Sequence, residues 1–376
     1  MKNNVLGLVF SENPEVNLGE LMNVRALAAV PVGGRYRIID FILSDMVNSE
    51  IINIGITTGY RHRSLTDHLG NGKAWDMSRK DGGLFILPPP EGLSSVTRLA
   101  GGIDYINSAI SYLKRSRQEY VLLCDCNTIC NIDFKVAFMN HIQKDADITV
   151  VYADIKTLPP EQLEKHILLD MDDNERVTDI HIYPKRQKTN HSYMHFMIIK
   201  KSLLLDLVDD CLSHDKHRIS KDILLANLHR LKIYGFKFSG YYKKVDSIKS
   251  FFDFNLDLLN PQIRHELFGN SDYNRIYTKI KDSVPTHYGK DANVVNSFVA
   301  DGCSVEGEIE NCIIFRGVKV GKGSKVKDSI IMQNSQIMDG CTVENAIFDK
   351  EIILSSKKSL IGQVTYPLVI AKRTII

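Results

Sequence analysis

Cys124, Cys126 and Cys130 fall within one short stretch and are the first side chains here that could hold a metal. Their one- and three-residue gaps match no Cys-x-x-Cys pair, and no histidine pair accompanies them. The expectation is buried thiols in a strand and turn. His62 and His68, with Arg61 and Arg63, flank a turn that is either a small anion site or simply solvated. Arg35 and Arg37 either contact a phosphate or form an ion pair with Asp40 that holds the fold. The run Lys185-Arg186-Gln187-Lys188 reads as an exposed loop. His287 is the one nearby candidate for a general base of acyl transfer, and no second motif supports it.

Such groups act only where secondary structure positions them. Val5–Phe10, Ile52–Thr58, Tyr120–Cys126 and Ile148–Ala153 read as short buried strands. Ile38–Asn48, Ile103–Arg115 and Phe134–Lys144 show the three- and four-residue apolar spacing of helices. Leu203–Cys211, Ile223–Leu231 and Ile248–Leu259 continue the series of elements. Alternating strand and helix imply a parallel sheet with helices on both faces. Ligands bind such sheets beyond the carboxyl ends of the strands. The loops after Phe10, Cys126 and Ile182 are therefore where chemistry is expected.

From about Asp291 the helical spacing disappears. Val320 and Val326 lie six apart, as do Ile331, Ile337 and Val343, with glycines in the turns between. One inward aliphatic every six residues predicts a parallel β-helix, three such hexads making one coil. The predicted division is 1–260 for the α/β domain, 261–290 for a connector and 291–376 for the β-helix.

The 376 residues carry 47 Lys+Arg and 45 Asp+Glu, a net charge of +2. This balance gives no overall grip on nucleic acid or an anionic membrane. No run reaches the roughly 18 apolar residues of a membrane span. The apolar start of the chain stops at Ser11 and Glu12, too early for a signal peptide. Seven cysteines, an odd number in a long chain, favour reduced thiols and a cytoplasmic location.

Three segments carry a family resemblance. Gly33-Gly34-Arg35-Tyr36-Arg37-Ile38-Ile39-Asp40-Phe41 resembles the GGKYRIIDF segment of glucose-1-phosphate adenylyltransferases. Ser220-Lys221-Asp222-Ile223-Leu224 is similar to that family's GKDII, and Asn293–Ser329 resembles its β-helix. The resemblance implies an α/β fold: a Rossmann-like nucleotidyltransferase (GT-A-like) domain followed by a left-handed parallel β-helix. It also implies a reaction, attack of glucose 1-phosphate on the α-phosphorus of ATP to give ADP-glucose and pyrophosphate. That chemistry needs backbone N–H groups around the triphosphate, carboxylates for Mg²⁺ and cations on the phosphates.

At the positions matching those needs the sequence departs from the family. The glycines of GGxGxRL fall on Glu12, Asn13 and Glu15, and its arginine on Asn17. Pro14 between them has no N–H. The lysine of RAKPAV is Leu27. Ungapped reading of GDHIYKMD puts Asn127 at the metal aspartate, with Asp125 one pleat deeper as an alternative. The lysine of EKP is Tyr183 and the aspartate of WRDVGT is Lys244. Gly34, Arg35, Arg37, Lys221 and Asp222 remain as candidate ligand or effector contacts, although Lys221-Asp222 is equally readable as a pair at a helix start. The pattern resembles the regulatory, GlgD-type branch of the family. The resemblance then implies little or no activity alone, no cofactor (Mg²⁺ only with residual activity), and a catalytic partner subunit in a hetero-oligomer, by resemblance a tetramer. A sugar-phosphate effector is also expected, and neither nucleic acid nor membrane. A weakly active enzyme and a sugar-phosphate-binding module without turnover are the alternatives.

Overall fold

Val5–Phe10 (β1) is buried at every position, which suits a strand covered on both faces. Val5 and Val9 enter one core with Ile38, Phe41 and Ile42 of the helix Ile38–Asn48; Leu6, Leu8 and Phe10 enter a second with Ile103, Ile106 and Leu204. Each such side chain contributes about 1.5–3 kcal/mol when fully buried. The computed structural model describes residues 4–89, 101–269 and 274–376. Around β1 lie Asn53–Thr57 (β2), Gly83–Leu87 (β3), Tyr120–Asp125 (β4), Ile148–Asp154 (β5), Ile167–Met171 (β6), Val177–Ile182 (β7), His191–Lys200 (β8) and Ile233–Phe238 (β9). Among the described residues these form one nine-stranded sheet, β7-β6-β8-β4-β1-β2-β3, with β5 joining β8 and β9.

The sheet is mixed, which corrects the parallel expectation. β1 runs parallel to β2 and β4 because helices carry the chain back between them. β6 and β7 form an antiparallel hairpin, and β8 is antiparallel to β4, β5 and β6. The expected helix over 103–115 is two, Gly102–Ser108 and Ile110–Arg115, divided at Ala109. The stretch 223–231 begins in a π-helical turn, Ile219–Leu224, followed by a short turn at Leu225–Asn227.

At Asn260–Pro261, where the apolar pattern breaks, a helix begins. The Asn260 side chain accepts from the Gln262 N–H (2.9 Å), and Pro261 sits where no helical donor is needed. The expected connector also ends early, since His287–Tyr288 already pairs with Ser304–Val305 as the first strand of the β-helix.

The β-helix is three five-stranded parallel sheets, the sides of a left-handed solenoid. Its buried residues Val320, Val326, Ile331, Ile337, Val343, Phe348 and Leu354 step by 6, 5, 6, 6, 5 and 6. A full coil is therefore 17 residues here, as in the pairing of Lys319 with Gln336 and Gln336 with Ile353, rather than three strict hexads. One coil is shorter still, with Ser304 paired to Lys319. Its contracted corner is Glu306-Gly307, where a Cβ on Gly307 would run into the carbonyls of Ser324 and Gly321.

The solenoid docks on the α/β domain. Ile313, Phe315, Ile330, Met332 and Ile347 belong to the same core as the helix Ile38–Asn48. Within that contact Arg25 forks onto Asp349, with both nitrogens at 2.9 Å from separate oxygens and side chains only 3% and 0% exposed. Asp349→Ala should cost about 3–5 kcal/mol, because it strands a buried guanidinium. Replacing the pair together, Arg25→Met with Asp349→Leu, should restore most of that loss in urea unfolding.

Candidate functional site

A cleft opens at the carboxyl ends of β1 and β4, as the fold requires. The loop after β1 contributes Glu12, Asn13 and Glu15; β4 contributes Asp125; Tyr183 follows β7; His195 comes from β8. Arg218 and Ser220 face them from the turn before Ile223, beside Gly101-Gly102 and Tyr105.

The loop is knotted to itself. The Asn13 side-chain oxygen accepts from the Glu15 N–H (2.9 Å), and the Asn13 carbonyl accepts from Val16 N–H (3.1 Å), an Asx-type turn. Ser11 N–H donates to Thr57 and Asn17 N–H to Asp246 (3.2 and 3.4 Å). Pro14 has no N–H. The N–H groups of Ser11, Glu15, Val16 and Asn17 are thus engaged within the protein. The acids are engaged as well: Tyr183 donates to Glu15, and the Glu12 carboxylate packs against Gly59.

Asp125 points into this cleft and accepts from the Asn13 amide (2.9 Å). His195 Nδ1 lies 3.4 Å from its carboxylate. On the other side Lys244 donates to His195 Nε2 (3.2 Å) and to the Lys165 carbonyl (2.9 Å). With an ammonium donating to Nε2, the imidazole is neutral and carries its proton on Nδ1, toward Asp125. Burial, then Lys244, pushes the His195 pKa well down, in agreement. Burial raises Asp125 to about 7, against the opposing pull of Lys244 and Asn13. His195 and Tyr183 both adopt left-handed backbone conformations (φ 61° and 53°), and His195 sits where the register of β8 shifts. Non-glycine residues held this way concentrate at functional sites.

The remaining predicted positions lie elsewhere. Asn127, read without a gap as the metal position, is fully buried; its amide donates to the Val245 carbonyl (3.4 Å). Asp125, two residues earlier, is the carboxylate at the cleft. Leu27 is a core residue. Asn17 accepts from the Gly19 N–H (2.9 Å) outside the cleft. Lys244 lies behind the wall, reaching it through His195. Asp222 accepts from the N–H groups of His217 and Arg218 (3.1 and 2.9 Å), so it shapes the turn, and Lys221 is exposed. Gly34 packs toward Ile314 of the β-helix.

Arg37 does not pair with Asp40 through its guanidinium, which donates to Ser64 (2.7 and 2.8 Å). Its backbone N–H caps Asp40, which also holds His68 (2.6 Å) and Thr278 (2.6 Å). His68 is therefore a buried structural partner and not part of an anion turn. All seven cysteines are free and buried.

His195, Arg218, Tyr105 and Gly101-Gly102 are cleft residues that sequence reasoning missed. Arg218 lies two residues before the recognisable Ser220-Lys221-Asp222, a weak local signal. Nothing local marks His195, whose role depends on a register shift in β8. The donor set fits Mg²⁺ poorly. Asp125, the carboxylate on β4, is bonded to Asn13 and has the Lys244 ammonium close behind.

Residues 18–261 match the nucleotidyl transferase family, and residues 282–364 match the GlmU-like C-terminal hexapeptide family. The chain is 35% identical to "Glycogen biosynthesis protein GlgD" of Bacillus subtilis, over 98% of this chain and 96% of that one. It is 37% identical to the GlgD protein of Geobacillus stearothermophilus, over 87% and 84%. It is also 32% identical to a glucose-1-phosphate adenylyltransferase of Clostridium perfringens strain 13, over 89% and 85%.

Asp125 supplies a pH prediction. Its folded pKa lies above the unfolded value, so ionising it opposes the fold: the stability it leaves intact at low pH falls as pH rises toward about 7. Asp125→Asn should flatten this fall, gaining at least about 1 kcal/mol on wild type between pH ~5 and ~8 in urea unfolding.

Proposed function

This chain belongs to the nucleotidyl transferase family that includes glucose-1-phosphate adenylyltransferases and GlgD proteins, and from that premise we propose that it is a catalytically impaired, regulatory subunit of such an adenylyltransferase in glycogen biosynthesis. The observation that carries the reading is the loop after β1. The Ser11, Glu15, Val16 and Asn17 N–H groups are bonded internally, Pro14 lacks one, and Glu12 and Glu15 stand where a triphosphate would bring at least three further negative charges. Each preorganised phosphate contact that is lost commonly costs about 10²–10³ in rate. Leu27 in the core and Lys244 behind His195 point the same way. No cofactor is part of this reading, and Mg²⁺ enters only with residual activity.

The partner is a catalytic homologue in a hetero-oligomer, whose activity this chain stabilises or tunes. Coupling of that kind requires contacts that differ between two states. The solenoid offers a place for a phosphate-bearing sugar as effector. Ile314, Ile331 and Phe348 stack in register, so Arg316, Gln333 and Lys350, two residues on, recur at one corner of successive coils. Arg316 Nε and Nη2 and the Gln333 side-chain oxygen are buried without partners. Lys350 is pushed down to about 7 by burial, then by Arg37 and Arg25, and burial, then Arg35, lowers Arg316. A cluster of under-neutralised cations suits a phosphate.

A weakly active enzyme is the second reading, favoured by the one carboxylate, Asp125, that β4 presents to the cleft.

Two measurements test the proposal. The purified chain with MgATP and glucose 1-phosphate should form no ADP-glucose above a blank. Co-expressed with a catalytic homologue from the same source, it should co-purify and change the rate or effector response. Mg²⁺-dependent turnover by the chain alone would establish the second reading instead. For the effector, a sugar bisphosphate should raise the unfolding temperature of wild type but not of Arg316→Ala with Lys350→Ala.

A further inference from the structure

One wall of the cleft is a seam between two segments, and His217 closes it. The first segment is Gly101-Gly102 and the helix Gly102–Ser108; the second is the turn His217-Arg218-Ile219. They approach backbone to backbone. The Ile103 N–H donates to the His217 carbonyl (3.1 Å), a Cβ on Gly101 would collide with that same carbonyl, and one on Gly102 would collide with Ile219. Arg218 and Ser220 reach the cleft from the second segment.

The imidazole of His217 spans the seam. Its Nδ1 lies 2.9 Å from Asp104 on the helix, and its Nε2 lies 3.1 Å from Asp215 on its own loop. A neutral imidazole has a single N–H and would turn a bare lone pair toward one carboxylate. Holding both carboxylates takes the doubly protonated ring. Among the described residues, Asp222 accepts from the His217 backbone N–H (3.1 Å), Lys216 turns to Asp210 (3.7 Å), and Arg218 projects into the cleft.

We propose that His217 is a proton-operated clamp: as an imidazolium it ties Asp104 to Asp215 and locks the cleft wall that carries Arg218, and on losing its proton it gives up one of the two carboxylates and loosens that wall. The hydrogen bonds that His217 donates to Asp104 and Asp215 hold its pKa above the ordinary histidine value, against burial. The sign follows. A folded pKa above the unfolded one gives stabilisation that is complete below the unfolded value and fades as pH rises through the folded one. The clamp is independent of the regulatory role, since it concerns the wall and not the loop after β1.

Hydrogen exchange over residues 101–108 and 215–222 of the full chain reads the seam directly. Corrected for intrinsic exchange, wild-type protection should fall at least about threefold between pH ~6 and ~8. In His217→Gln it should be low and unchanged across that range. In parallel, the His217 ring resonance should titrate above ordinary histidine in wild type and move down in Asp215→Asn, a change at an exposed position expected to fold normally. A wild-type midpoint at or below the ordinary value would overturn the clamp. So would the same pH-dependent opening in His217→Gln as in wild type.

Discussion

The fork of Arg25 on Asp349 is the contact through which the two halves of the molecule define each other. It is buried at both ends, so neither group can return to water without separating the solenoid from the α/β domain. Its influence reaches the cleft along a short path. Arg25 is followed by Ala26, whose N–H donates to Arg61, and by Ala28, whose N–H donates to the Ser11 carbonyl at the root of the loop after β1. The β-helix thus helps set the shape of a loop it does not line. An effector at the solenoid corner and a ligand at the cleft would share this connection.

In the cleft the acids and the lysine behind them already have company. Glu15 has Tyr183, Asp125 has Asn13 and His195, and Lys244 has His195 and a carbonyl. In a nucleotide-using site such groups wait for phosphate and metal, and their mutual frustration is relieved by substrate. Here they relieve one another. The result is a site that keeps the architecture of its family with its acids and its lysine partnered inside the protein.

Dense local patterns were legible in the sequence. β1 and the helix Ile38–Asn48 have the bounds their apolar spacing predicts, because burial on both faces of a strand, or along one helix stripe, leaves little choice of register. Strand direction was not legible, since the β6–β7 hairpin and β8 differ from crossover strands only in what they pair with. The coil length of 17 was hidden by sixfold steps, one side in three being a residue short. At the site, Glu12, Asn13, Glu15 and Tyr183 could be found by counting from motifs. Asn127 and Asp125 could not be told apart that way, because a two-residue slip keeps the side-chain parity. His195 depends on a backbone shift in β8 that only tertiary pairing produces.

The unequal coils have a consequence for assembly of the solenoid itself. A stack of identical rungs has translational symmetry, and a growing rung can settle one step out of place with nearly the same energy. The contracted corner at Glu306-Gly307 breaks that symmetry, because Ser304 pairs with Lys319 across a shorter coil than the His287–Ser304 and Lys319–Gln336 pairings on either side. A misplaced rung would meet a neighbour of the wrong perimeter at once. The irregular rung therefore serves as an index mark, making one alignment of the ladder distinguishable from its shifted copies before the α/β domain has docked.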